Sequence, residues 1–188
     1  MPVFDEDAEP FDLDDDEFVE DEEDDDLDDA TEDDVDLVIG AYREDGEPVA
    51  VPLDFDLAND LDDLIRTLVR LPGDSGADGY VSVAGEFFVI VRVRGRDVEV
   101  FLSDAGAAND WPIARDVVDF LGEEIPDEDE EPFPLGDMEM FAASGLRAFD
   151  LEAIATDYDS DPIDLLETIA KRLKFGPQFE QAAAAFED

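Results

Sequence analysis

Acid is massed at one end of this 188-residue chain, and that decides where it can fold. Residues 1–36 carry 22 Asp and Glu and no base; the first basic residue is Arg43. A segment so poor in apolar side chains and so rich in like charge cannot bury enough surface to offset its ordering entropy. Residues 1–34 are therefore expected to be a disordered acidic tail. Phe4, Phe11 and Phe18 recur at seven-residue steps among the acids, with Leu13, Val19 and Leu27 between them. Such interleaving is typical of interaction segments, and a solubilising tail is the plainer reading.

The whole chain carries 58 acidic and 11 basic residues, a formal net charge of −47. Gripping a nucleic-acid backbone needs clustered Lys and Arg, so direct nucleic-acid binding is not expected and a basic protein partner is. With no Cys and no His, thiol nucleophiles, Cys/His zinc sites and imidazole bases are excluded. No cofactor or metal is expected. No apolar run is longer than that from Phe87 to Val91, which is far too short to span a membrane. The acidic N-terminus is not a secretory leader. A soluble, cytoplasmic protein is the expectation.

Beyond the tail the periodicity changes three times. Residues 35–42 are β-prone, Glu44-Asp45-Gly46 signals a turn, and Val49 to Leu53 reads as the returning strand of a hairpin. Leu57, Leu61, Leu64, Ile65, Leu68 and Leu71 then fall at three- and four-residue steps, predicting an amphipathic helix of about 14 residues. Pro72-Gly73 ends it. Three strands are predicted over 80–84, 86–94 and 97–103, with turns at Gly85 and Gly95-Arg96. A helix over 112–121 follows, with Pro112 in its first turn and Gly122 after its end. The order β-β-α-β-β-β-α predicts an α+β fold with a small, mostly antiparallel sheet over 35–121. It is similar to roadblock-like and profilin-like sheets, which are mostly interaction modules. Residues 122–137 read as an acidic linker, and 138–188 as a helical C-terminal region. In the latter, Asp150 and Asp161-Pro162 are expected to start helices, with Gly176 closing the second.

Few residues suggest chemistry. Arg92, Arg94 and Arg96 form the dense basic cluster of the sheet region. They would serve an anion site or an acidic partner, or, more ordinarily, pair with Glu86, Asp97 and Glu99 across the turns. The Ser103–Trp111 segment gathers Asp104, Asp110 and the only Trp between a strand and a helix, a common location for functional groups. The structural reading makes Asp110 a helix cap and Trp111 a staple. Asp157-Tyr158-Asp159-Ser160-Asp161 begins like a calcium loop, but Pro162 and Thr168 stand where that loop needs Gly and Glu. No catalytic residue is assigned. The six candidate interaction residues are Arg92, Arg94, Arg96, Asp104, Asp110 and Trp111.

Several segments taken together resemble a known family: Glu86 to Gly95, Ser103-Asp104-Ala105, Asp110 to Val117, Gly136-Asp137, and Ile169 to Gly176. They resemble the actinobacterial tRNA adenosine deaminase-associated proteins over about 35–186, with the tail outside. The resemblance implies an accessory role with a tRNA adenosine deaminase as protein partner, and carries no catalytic residues. The chain is not itself such a deaminase, whose zinc is held by His and Cys. The alternative is an independent acidic interaction module, or nucleic-acid mimic, for another basic protein.

Overall fold

The computed structural model describes residues 27–187. The Phe4, Phe11 and Phe18 spacing and most of the acidic tail lie outside the described residues. The fold is α+β, as the periodicity predicts. Strands β1 (Val35–Glu44), β2 (Glu47–Pro52), β3 (Ala77–Val83), β4 (Phe87–Arg94), β5 (Asp97–Leu102) and β6 (Leu135–Gly136) form one sheet. Its order is β2-β1-β3-β4-β5-β6, with every pair antiparallel.

The β1–β2 hairpin turns at Asp45 and Gly46, whose φ angles of 56° and 83° are both positive. That is the two-residue turn whose twist matches the flanking strands, and Asp-Gly suits it. The predicted 14-residue helix is divided. A 3₁₀ turn spans Phe55–Asn59, and helix α1 spans only Leu61–Val69. Asp60 interrupts it in extended conformation and accepts a hydrogen bond from the Asp63 N–H at 3.1 Å, capping α1. Helix α2 (Pro112–Leu121) ends at Gly122, whose φ of 73° needs no Cβ, as expected.

Each sheet face is covered by helices. The odd residues of β4, Phe87, Val89, Val91 and Val93, pack with Leu61, Leu64 and Leu68 of α1 and with Ile113, Val117 and Val118 of α2. The even ones, Phe88 and Ile90, pack with Tyr80, Phe101 and the C-terminal helices. Those helices are α3 (Ala148–Ala155), α4 (Pro162–Arg172) and α5 (Gly176–Ala183). The helical C-terminal region is therefore the second cover of the sheet. Burying a large apolar side chain contributes about 1.5–3 kcal/mol, and this face buries Tyr80, Phe88, Ile90, Phe101, Phe141 and Phe179 completely.

Helix ends differ in detail from expectation. Asp161 caps α4, accepting from the Ile163 N–H at 2.9 Å. Gly176 does not close that helix: Lys174 takes the left-handed position at φ 72°, while the Phe175 N–H reaches back to the Ala170 carbonyl. This is a Schellman closure, with apolar Phe175 turned onto the helix. Asp150 lies inside α3 and pairs with Arg172 at 3.3 Å; Arg147 holds the cap position.

Two stretches expected outside the folded body touch it. Ala30 is buried, and the Asn59 amide brackets its backbone, accepting from the Ala30 N–H at 2.7 Å and donating to its carbonyl at 2.9 Å. Within 122–137, the Pro126 carbonyl accepts from Asn109, the Phe133 carbonyl accepts from the Ala105 N–H, and Leu135-Gly136 extend the sheet as β6.

Candidate functional site

The three arginines do not act as one cluster. Arg94 and Arg96 are exposed at the β4–β5 turn, beside the half-exposed ring of Phe120. Arg92 lies under the helical layer with its side chain 16% exposed, against Asp78, 18% exposed. Its partner is not one of the acids expected from the turns. Asp78 faces Arg92 across the β3–β4 pair, with Arg92 Nε 3.5 Å from Asp78 Oδ1. Glu99 is the Arg92 register partner on β5 and Asp97 that of Arg94, while Glu86 accepts from Trp111 Nε1 at 3.2 Å.

Arg92 is also tied to the roof. Its Nη1 donates to the Met140 carbonyl at 3.0 Å, and its guanidinium lies 5.1 Å from the centre of the Phe141 ring. Nearby, Arg43 Nη2 donates to the Leu173 carbonyl at 2.9 Å, at the C-terminal end of α4 where the helix dipole favours a cation. Between the two arginines is a cavity of about 210 Å³ whose lining includes Ala41, Asp78, Phe141 and Phe175. Burial lifts the Asp78 carboxyl from 3.8 to about 6, with Arg92 and Arg94 pulling the other way.

The Ser103–Trp111 loop joins β5 to α2. Asp104 caps the 3₁₀ helix Ala105–Asn109, accepting from the Gly106 N–H at 2.8 Å. Burial raises its pKa, the Gly106 bond opposes this, and Glu86 adds to it. Asp110 does not cap α2: with Pro112 first in the helix, Trp111 takes the cap position, and exposed Asp110 closes the preceding 3₁₀ turn. Trp111 packs against the core and bonds Glu86, which fits the staple reading. This loop lies at the far end of β5 from Arg94 and Arg96, about 17 Å away for six strand residues. The structure thus separates the six predicted residues into three places: Arg92 under the helical layer, Arg94 and Arg96 at the β4–β5 turn, and Asp104, Asp110 and Trp111 in the loop after β5.

Asp78, Arg43 and Tyr158 escaped the sequence reading. Asp78 was findable: counting outward from the turn at Gly85 places it opposite Arg92. Tyr158 was not. Its hydroxyl donates to the Ser103 carbonyl at 2.7 Å, across 55 residues. The Asp157–Asp161 segment turns on itself, Ser160 Oγ donating to Asp157 Oδ2 at 2.9 Å, and no metal-ligand cluster occurs among the described residues.

A second concavity, about 740 Å³, lies where the two ends of the described chain meet. Val35, Leu53, Phe55 and Phe186 give it an apolar floor; Glu32, Asp33, Asp54 and Glu187 rim it, and no base lines it.

These features define a small antiparallel-sheet protein covered by helices on both faces, with its described polar cavities at the sheet ends. The chain belongs to the Rv3753c-like tRNA adenosine deaminase-associated protein family, whose model matches residues 36–176. It is 33% identical over 143 residues to Protein Rv3753c of Mycobacterium tuberculosis (strain ATCC 25618 / H37Rv), an alignment covering 74% of this chain and 83% of that relative. The resemblance carried by the segments from Glu86 to Gly176 is therefore a family relationship. The match omits the acidic tail. No solved structure matches the chain. No helix among the described residues is long and apolar enough to cross a membrane.

Proposed function

We propose that this chain is a non-catalytic, cytoplasmic accessory protein that binds a tRNA adenosine deaminase through its acidic surface. The observation that carries this reading is the charge balance: 58 acidic residues against 11 basic leave a net charge of −47. Three of the arginines are already engaged, Arg92 on the Met140 carbonyl, Arg115 on the Ala108 carbonyl and Arg66 on Asp62 and Asp63. The surface is therefore dominated by carboxylates. A protein that grips tRNA needs a basic face, and an acidic surface is complementary to one, favouring encounter and register. The acid-rimmed cleft is the docking point we favour, because its apolar floor adds contact to charge. The tail, entering beside it at Glu32 and Asp33, adds long-range attraction.

The test is binding of the purified deaminase from the same genome to the full chain and to a chain lacking residues 1–26, which keeps buried Ala30 and the cleft acids Glu32 and Asp33, at low and high salt. Binding by both, weakened by salt, supports the reading. Binding that requires the tail and is competed by tRNA supports occupation of the tRNA path. Absence of binding by either overturns it, and leaves an acidic module for some other basic protein.

A further inference from the structure

We propose that the cavity between Arg43 and Arg92 is a binding site for a small organic carboxylate. Its floor runs across the sheet, from Ala41 on β1 through Asp78 on β3 to Arg92 on β4, which are successive register partners. Its roof is Phe141, Ser144, Leu173 and Phe175. Two guanidiniums and one carboxylate leave the lining one positive charge in excess, within a strongly acidic chain. A monoanion neutralises it.

The hydrogen bonding around Arg92 points the same way. Its Nε is buried and has no hydrogen-bond acceptor among the described residues. Asp78 Oδ1, at 3.5 Å, neutralises charge without closing a charge-assisted bond, which would be about 2.7–2.9 Å. A buried donor left unmade costs roughly 1–3 kcal/mol, and the side chain that carries it lines the cavity, so a small rotation of the Arg92 guanidinium that turns Nε onto an acceptor there recovers that cost. Arg43 also keeps donors beyond the one spent on Leu173, since a guanidinium has five. The planar fork of Arg suits a carboxylate.

Size and walls narrow the class. At about 210 Å³ the space equals about seven waters at 30 Å³ each. That lies below the roughly 300 Å³ at which drug-sized sites begin, so the ligand is of amino-acid size or smaller. Phe141 and Phe175 offer apolar faces to its body while the arginines take its head. This site is independent of the partner reading above, and the two fail separately.

The test is an amide proton–nitrogen NMR titration of the full-length protein with benzoate, with benzamide as neutral isostere and inorganic phosphate as a rival anion. Benzoate is expected to shift the amides of Ala41, Gly76, Ala77 and Phe175 saturably, with a Kd on the order of 1 mM. Arg92→Lys, which keeps charge but loses the fork, and Arg43→Gln should each weaken it about tenfold. Ala41→Leu, filling the floor, should abolish it while distant amides stay unmoved. Should Arg92→Lys fail to fold, the other two variants decide. Equal shifts with benzamide, benzoate shifts that avoid these amides, or variants that bind unchanged would each overturn the site. Tighter binding of phosphate than of benzoate would overturn the carboxylate assignment.

Discussion

The Tyr158 hydroxyl donates to the Ser103 carbonyl at 2.7 Å, joining the helical C-terminal region to the loop that leaves β5. Ser103 is buried, and its own Oγ accepts from the Phe88 N–H at 2.9 Å. One small residue thus links two strands and the helical cover. Tyr158→Phe should lower unfolding free energy by about 1 kcal/mol. Ser103→Ala strands the Phe88 N–H in the interior and should cost more, about 1–3 kcal/mol. Urea denaturation of both variants checks the order, and equal stability would refute the link.

Asp78 should impose a pH dependence on stability. Its carboxyl sits at about 6 when folded against 3.8 in its ordinary state. The folded chain therefore holds this proton more tightly than the unfolded chain. The resulting stability is fully present below pH 3.8 and is lost as pH rises through 6, about 3 kcal/mol in all. Asp78→Asn has no such proton to lose. The stability difference between variant and parent should move by about that amount in favour of the variant between pH 4 and pH 8. Parallel profiles for the two would show that Asp78 is not the titrating group.

Lys174 holds a left-handed backbone position that costs a residue with a Cβ about 1–2 kcal/mol. Its side chain is exposed, so little packing is lost on replacement. Lys174→Gly should raise the melting temperature, by some 0.5–1 kcal/mol of added stability once the greater freedom of the unfolded glycine is counted. No gain would indicate that the Lys side chain stabilises the closure in another way.

The sheet should not survive without its second cover. A chain ending at Asp137 exposes Tyr80, Phe88, Ile90 and Phe101 on one face, a contiguous apolar patch of the kind that drives aggregation. Size-exclusion chromatography should find it aggregated. In the full chain, Phe179→Ala removes a fully buried ring that touches Tyr80 edge-on at 6.0 Å between centroids. It should cost about 3–5 kcal/mol. A soluble, cooperatively folding truncated chain would contradict this account.

Charge reversal at the acid-rimmed cleft separates docking from general electrostatics. The triple change Glu32→Lys, Asp33→Lys and Asp54→Lys should weaken deaminase binding far more than reversal of three acids in 123–131. Isothermal titration calorimetry provides the comparison, and equal losses would remove the cleft from the interface.

Most of the elements, and their faces, were legible because they are local properties. Alternation in Phe87 to Val93 assigns odd and even residues to opposite sheet faces whatever packs on them. Gly85, Gly95 and Gly122 mark reversals because few other residues accept positive φ cheaply. Helix ends were less legible where competing signals sat close together. Asp60 caps a helix inside a continuous leucine pattern, and Lys174 rather than Gly176 closes α4. Either residue fits the periodicity, and the choice depends on what each end packs against.

The sequence by itself determined the α+β class, the order of the first five strands and the two helices among them, and the acidic balance. These follow from composition and short-range pattern, which need no distant partner. Only the tertiary structure decided that the last helices form the second face of the sheet. It also split Arg92 from Arg94 and Arg96 and set Asp78, Arg43 and Phe175 around one cavity. The last of these joins positions up to 132 residues apart, and local pattern carries no information about which distant side chains will share a buried volume. That is settled when two apolar faces close on each other, and the charged groups at their rim must find partners or remain unpaired.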